Sequence, residues 1–300
     1  MIRDLTKWRG CFTAVVTPFK ENGEIDKEAF CKNIELLIEE GINGVIVSGC
    51  TGESWALTYE EIRELFELGI KQSNGKIILI GGTGGQISAE KTIKLCQYAN
   101  ELGMDGVMIL PPPIVIPNNR EIFAFFESIG NSVDIPILLY NNPRRQIADL
   151  TPELIIKLAD IKNVVAIKES SKDFHRVMEV LRLVGTKIRV FSGHSALHGV
   201  PAILMGAAGW VGSSDTQVMG KEAIQMFSYA EKGDIDKARQ IQFRCISLAK
   251  GLAVGSGTAS LKYAMKLRKR PGGYPRKPIL PLTEQEEQHV RTSLLELSLI

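Results

Sequence analysis

The run Val164-Val165-Ala166-Ile167-Lys168 puts an ammonium group at the end of an apolar stretch. Desolvation there disfavours the charged form and lowers the lysine pKa, and a neutral amine is the nucleophile that attacks a ketone to give an imine. The competing reading of Lys168 is a lysine paired with Glu169 or extended into solvent. A second apolar run ends in Tyr140, whose phenol could move protons between an imine carbon, a leaving hydroxyl and a bound acid, or could simply be a packed aromatic. The loop Gly49-Cys50-Thr51-Gly52-Glu53-Ser54 can present consecutive backbone N–H groups to a carboxylate, although glycines also make ordinary turns. Gly81-Gly82-Thr83-Gly84-Gly85 lacks the Gly-Lys-Ser/Thr that completes a phosphate cradle, so a plain turn is expected. His194 and His198 share the i, i+4 spacing of a metal pair, but no glutamate follows His194 as in HExxH and no third ligand is evident; no metal is expected.

These residues need a frame that gathers strand ends. Short β-branched or apolar runs recur about every 30 residues, the length of one βα unit. Eight are found: Phe12 to Thr17, Gly44 to Ser48, Ile77 to Gly81, Gly106 to Leu110, Pro136 to Tyr140, Val164 to Lys168, Arg189 to Ser192 and Gly209 to Gly212. Most are continuously apolar, as parallel strands covered on both faces should be. Between them run amphipathic helical segments, among them Asp26 to Glu40, Thr58 to Gln72, Ser88 to Leu102, Thr151 to Ala159 and Phe174 to Val184. Ser88 and Thr151 can cap N-termini, Pro152 suits a first helical position, and Gly41, Gly103 and Gly185 can supply left-handed C-terminal residues.

Eight strands alternating with helices predict a (β/α)8 TIM barrel over residues 1–220, in preference to a doubly wound open sheet. Helical patterns at Lys221 to Lys232, Asp234 to Lys250, Ser260 to Leu267 and Thr283 to Leu297 predict an all-helical extension over residues 221–300, with Pro271 to Pro281 as its one evident loop. Barrel enzymes place their chemistry where strands run into βα loops, which is where Lys168, Tyr140 and the Cys50 loop fall.

The bulk numbers narrow the function class. With 44% hydrophobic residues the chain can bury a large core, and 36 basic against 34 acidic side chains leave a formal net charge of +2. That supplies no long-range field of the kind nucleic acid or an anionic membrane demands, so neither is expected as a partner. Met1 to Gly10 is charged and lacks the apolar core of a signal peptide, and no window approaches the roughly 20 apolar residues of a membrane span. A cytoplasmic location is expected. Five scattered cysteines without CxxC pairs argue against disulfides and thiolate zinc; Cys11, Cys31, Cys96 and Cys245 read as small buried hydrophobes, and Cys50 stands apart in its glycine-rich loop.

The motifs together resemble the family of dihydrodipicolinate synthase and N-acetylneuraminate lyase. The similarity covers nearly the whole chain and is carried by Ala14-Val15-Val16-Thr17-Pro18-Phe19, Gly49-Cys50-Thr51-Gly52-Glu53-Ser54, Gly82-Thr83-Gly84, Leu139-Tyr140-Asn141-Asn142-Pro143, Ile167-Lys168-Glu169-Ser170, Ser192-Gly193 and Ile279-Leu280-Pro281-Leu282. The resemblance implies a lyase that holds pyruvate or another 2-keto acid as a Schiff base on Lys168. It implies Tyr140 as the proton-transferring hydroxyl, Cys50 and Thr51 as binders of the keto-acid carboxylate, Gly193 and Val211 as further substrate-binding residues, and Arg145 as the holder of a second carboxylate. An ion pair stabilising the loop is the alternative role for Arg145. The family needs no metal or organic cofactor, and a homotetramer built as a dimer of dimers is implied.

Three departures from the synthase pattern stand out. Cys50 replaces the first of two threonines, and a thiol is a poorer hydrogen-bond relay than a hydroxyl. Leu110-Pro111-Pro112-Pro113-Ile114 replaces a stretch with a tyrosine pair, one of which reaches across from a neighbouring subunit in the synthase. Gln146 follows Arg145 where the synthase has threonine. The expected reaction makes or breaks a carbon–carbon bond next to the imine. A 2-keto acid dehydratase or deaminase using the same imine is the near alternative, with a metal-dependent aldolase on His194 and a non-enzymatic binding barrel behind it.

Overall fold

The structure, a computed structural model, describes residues 6–86 and 88–300, so the first half of the Met1 to Gly10 stretch lies outside the described residues. The chain runs β1 (Gly10–Ala14), α1 (Lys27–Glu39), β2 (Gly44–Val47), α2 (Tyr59–Ser73), β3 (Ile78–Gly82), α3 (Ala89–Glu101), β4 (Gly106–Ile109), α4 (Asn119–Ser132) and β5 (Ile137–Asn141). It continues through α5 (Pro143–Gln146), α6 (Pro152–Leu158), β6 (Val164–Glu169), α7 (Phe174–Val184), β7 (Arg189–Ser192), α8 (Ser195–Leu204), β8 (Gly209–Gly212) and α9 (Ser214–Val218). Helices α10 (Lys221–Glu231), α11 (Ile235–Gly251), α12 (Gly257–Leu267) and α13 (Glu284–Glu296) follow.

The eight strands close in sequence order, all parallel, with β1 pairing to β8. This is the (β/α)8 barrel read from the pattern. Each strand divides its side chains by the period of two. Ile46, Ile80, Met108, Leu138, Phe191 and Val211 fill the barrel interior, while Val45, Val47, Leu79, Leu139, Ile167 and Val190 pack outward against the helices. The same alternation turns Tyr140 and Lys168 inward, because each lies an even number of residues from an interior position, Leu138 and Ala166.

Several local expectations are corrected. The first strand begins at Gly10 and ends at Ala14, because beyond it the Val16 N–H is taken by the Gln217 side chain and leaves the ladder. Gly185 closes α7 in ordinary right-handed geometry (φ −61°), since its N–H continues the helical bond to Leu181. Gly41 and Gly103 are left-handed as expected. Cys31 is half-buried, whereas Cys11, Cys96 and Cys245 are buried. Helices not singled out by the pattern, α4 and α8 among them, also form. Asn118 closes a capping box with Glu121 at the start of α4, and α8 carries Pro201 in its interior.

The Pro271 to Pro281 segment does more than connect helices. The Tyr274 N–H donates to Phe19 O (2.8 Å), and the Arg276 guanidinium binds both Glu61 oxygens (2.7 and 2.8 Å). The Arg276 N–H donates to Glu53 Oε2 at 2.8 Å, and Lys262 Nζ of α12 lies 2.5 Å from Glu53 Oε1. The helices after the barrel therefore grip the loop that leaves β2.

Candidate active site

Adjacent strands deliver the two most informative side chains. Tyr140 and Lys168 are register partners on β5 and β6, and Lys168 Nζ lies 4.3 Å from the centre of the Tyr140 ring. Lys168 is 6% exposed and Tyr140 4%. Burial pushes the Lys168 pKa down to about 8; the neighbouring Cys50 pulls it back up, and the Arg145 guanidinium pushes it further down. Glu169 faces away from Lys168, accepting from Asn141 Nδ2 (2.9 Å) and the Ser171 N–H (2.7 Å). The ion pair weighed as an alternative for Lys168 does not form.

The Tyr140 hydroxyl is pushed well above the usual phenol range, chiefly by burial and then by the adjacent Cys50. Asn142 opposes this, its Nδ2 donating to the Tyr140 oxygen at 3.0 Å. In the sequence Asn142 is marked only by its place in the Tyr140-Asn141-Asn142-Pro143 motif, and a hydrogen bond to the phenol cannot be read from that spacing.

The β2 loop bends through left-handed Ser48 (φ 48°) and Glu53 (φ 55°). A Cβ at Gly52 would stand 3.0 Å from Val15 O and 3.3 Å from Thr17 Oγ1, so a side chain there would be crowded. Among the described residues the Cys50 and Thr51 N–H groups donate to no protein acceptor, and Cys50 packs against the interior cluster that contains Tyr140. Free amides beside a desolvated lysine suit a carboxylate. Val211 is an interior wall residue of that same cluster. Gly193 follows β7 and lies against Ser170, whose Oγ would lie 1.6 Å from a Cβ at that position, so any side chain there would collide.

Arg145 is exposed at the mouth, and no carboxylate of the described residues pairs with it. With Cys50, Trp55, Leu110, Pro113 and Gln146 it lines a cavity of about 330 Å³. His194 is committed elsewhere: its Nε2 is 3.0 Å from Ser170 O, and burial pushes its pKa down to about 4. Among the described residues no group of three or more His, Cys, Asp or Glu side chains could hold a metal ion. No helix among them is long and apolar enough to cross a membrane.

A closed parallel barrel with a desolvated lysine beside a phenol at its strand ends is the architecture of a class I lyase, one that works through a lysine Schiff base. Comparison with known proteins gives the family. The model of the Dihydrodipicolinate synthetase family matches residues 7–297, and the chain belongs to that family. It is 33% identical over 293 residues to a 4-hydroxy-tetrahydrodipicolinate synthase of Methanococcus aeolicus, covering 97% of this chain and 100% of the relative. It is 35% identical over 286 residues to the Bacillus subtilis enzyme of the same name, covering 95% and 98%. A prophage protein of E. coli K12 assigned to the dihydrodipicolinic acid synthase family, solved in complex with pyruvate, superposes with a TM-score of 0.93 at 26% identity over 98% of this chain and 99% of that one. The chain is thus a Schiff-base lyase, and relatives named as synthases favour carbon–carbon chemistry over dehydration or deamination.

Proposed function

We propose that Lys168 condenses with pyruvate or a related 2-keto acid and that the resulting enamine attacks an aldehyde. The observation that carries this reading is the desolvated Lys168 amine, held over the Tyr140 ring with no acidic partner among the described residues. In its neutral form the amine adds to the ketone; the carbinolamine then loses water to give the imine, and loss of a proton from the adjacent carbon gives the enamine. Tyr140, oriented by Asn142, carries protons to and from these intermediates. The Cys50 and Thr51 amides hold the keto-acid carboxylate, Gly193 and Val211 shape the wall around it, and Arg145 takes an anionic group on the second reactant. Water finally hydrolyses the product imine and frees Lys168.

The Cys50 thiol and the Pro111-Pro112-Pro113 stretch provide no hydroxyl chain to the incoming aldehyde, which leaves Tyr140 as the proton carrier. Weak turnover of aspartate semialdehyde with pyruvate, below a kcat/KM of about 10⁴ M⁻¹s⁻¹, is therefore part of this proposal. So are the separation of a catalytic barrel (residues 1–220) from a helical extension (residues 221–300), a homotetrameric assembly and a cytoplasmic location. A Schiff-base mechanism on Lys168 requires neither metal nor organic cofactor, and chelators should leave activity unchanged.

Borohydride in the presence of pyruvate should add a reduced three-carbon group to one peptide, the one containing Lys168. Mass mapping that places the adduct on another residue, or finds none with any 2-keto acid tried, would overturn the mechanism.

A further inference from the structure

Helix α12 and the segment after it converge on the turn that carries the Cys50 and Thr51 amides. Glu53 closes that turn, its N–H donating to Cys50 O at 3.2 Å, and holds a left-handed φ of 55° that a non-glycine residue keeps only where its surroundings enforce it. The Glu53 carboxylate is fully buried between Lys262 Nζ, 2.5 Å from Oε1, and the Arg276 N–H, 2.8 Å from Oε2. Lys262, itself 1% exposed, also donates to Thr17 O at 2.7 Å, and the Thr17 hydroxyl in turn donates to Gly52 O at 2.8 Å. The turn is thus pinned at its last two residues, Gly52 and Glu53, while the amides of its first two stay free. Burying an ion pair carries a desolvation cost that the mutual attraction often fails to offset, so the best-attested use of such a pair is to fix register, not to add stability.

We propose that Glu53 and Lys262 are positioning residues for the keto acid: their ion pair, made between the barrel and the helical extension, fixes the direction of the Cys50 and Thr51 N–H groups and so sets the affinity for the carboxylate. This inference rests on the reading that those amides hold the keto-acid carboxylate, and it deepens that reading. Both side chains are too deeply buried to touch a reactant, so they act through the turn alone. Amides that grip the carboxylate equally before and after the imine forms govern KM and leave kcat nearly untouched. Neutralising Glu53 removes the counter-ion of Lys262 and with it the force that keeps residue 53 left-handed.

The test compares pyruvate with methyl pyruvate, which presents the same ketone without the anionic group, in borohydride trapping on Lys168 by the full chain. The unmodified protein should reach half-saturation with pyruvate at a concentration about 10-fold or more below that for methyl pyruvate. Glu53→Gln keeps the size of the side chain and an acceptor for the Arg276 N–H. It should raise the half-saturating pyruvate concentration about 10-fold and shift that of methyl pyruvate less than about twofold, with the limiting trapping rate within about twofold. The double variant Glu53→Gln/Lys262→Met removes both charges together and strands neither. It should regain much of the urea resistance that Lys262→Met loses while keeping the weakened grip on pyruvate. Equal losses on both ketones, or no loss on pyruvate, overturn the proposal. A double variant that recovers pyruvate binding along with its stability overturns it too, because the pair would then be a structural contact only. Failure of both variants to fold does the same, by making the pair a requirement of the whole fold. No adduct in the unmodified protein with either ketone sinks the imine reading itself, and an adduct without preference for pyruvate sinks the carboxylate reading. A preference that survives Glu53→Gln sinks only the role of the ion pair.

Discussion

Lys168 and Lys262 are both buried, and burial pushes the pKa of each down to about 8. Their surroundings differ. Lys262 donates to Thr17 O and Tyr274 O, each at 2.7 Å, and lies 2.5 Å from a Glu53 carboxylate that is itself fully buried and draws its pKa back up. Among the described residues Lys168 has no oxygen partner of this kind; the Tyr140 ring lies beneath it. Losing a proton at Lys262 would strand the Glu53 charge, and at Lys168 it strands nothing. A lowered lysine pKa therefore does not mark a nucleophile by itself; the partner set does. Lys262 is read as a rivet between α12 and the β2 loop, Lys168 as a poised amine.

The sharpest way to break this contrast is to remove each amine in turn. Lys168→Ala should cut turnover by roughly 10⁴-fold or more and abolish the pyruvate adduct, because no neighbouring amine can take its place. Lys262→Met should instead lower folding stability by about 3–5 kcal/mol, since it leaves the Glu53 carboxylate buried without its counter-ion. Urea unfolding curves would measure that loss, and a cost below about 1 kcal/mol would deny Lys262 its structural role.

The stability of the two Met variants separates them next. Lys168 has a folded pKa below its unfolded value, so between about pH 8 and pH 10.5 the unfolded chain binds the extra proton and stability rises with pH. Below pH 8 the penalty is fully present, and from the 10.5 to 8 shift it amounts to about 3 kcal/mol at most. Lys168→Met should therefore unfold at equal or higher urea than the unmodified protein at pH 7, the opposite of Lys262→Met. Imine formation, followed by single-turnover trapping, should accelerate as pH rises toward 8 and level off above it. A rate that is flat from pH 6 to pH 9 would mean the amine is already neutral or is not the nucleophile.

A smaller effect is expected at Asn142. Asn142→Leu removes the donor that holds the Tyr140 oxygen and should lower kcat about 10-fold while leaving KM for pyruvate within about twofold. A change in KM alone would make Asn142 a binding residue instead. The smallest effect concerns lysine as an inhibitor. In family members regulated by lysine, polar side chains after the Gly-Glu-Ser loop and a tyrosine after strand 4 hold the effector, but here Trp55, Tyr59 and Ile62 occupy that stretch, with Ile62 buried in the core, and Pro112 replaces the tyrosine. Apolar groups cannot satisfy a zwitterion. Inhibition by lysine in a steady-state assay should stay below about twofold at millimolar concentration, and a sub-millimolar inhibition constant would contradict it.

Sequence by itself determined the barrel, its eight strand positions and the inward placement of Lys168 and Tyr140. Continuous apolar runs at a βα spacing have one efficient burial, and the period of two then decides which side chains face in. It also singled out the Cys50 loop by its glycines, while Gln146 stood out only against the family pattern. Only the tertiary structure decided who meets whom. That Asn142 holds the phenol, that Glu169 turns away from Lys168, that Gln146 is left without a partner, and that residues 262 and 276 reach back to grip Glu53 all depend on register and helix packing across the whole chain. The physical reason is that hydrophobic periodicity reports how deeply a residue is buried, while a hydrogen bond or ion pair depends on distances of about 3 Å between groups far apart in the chain.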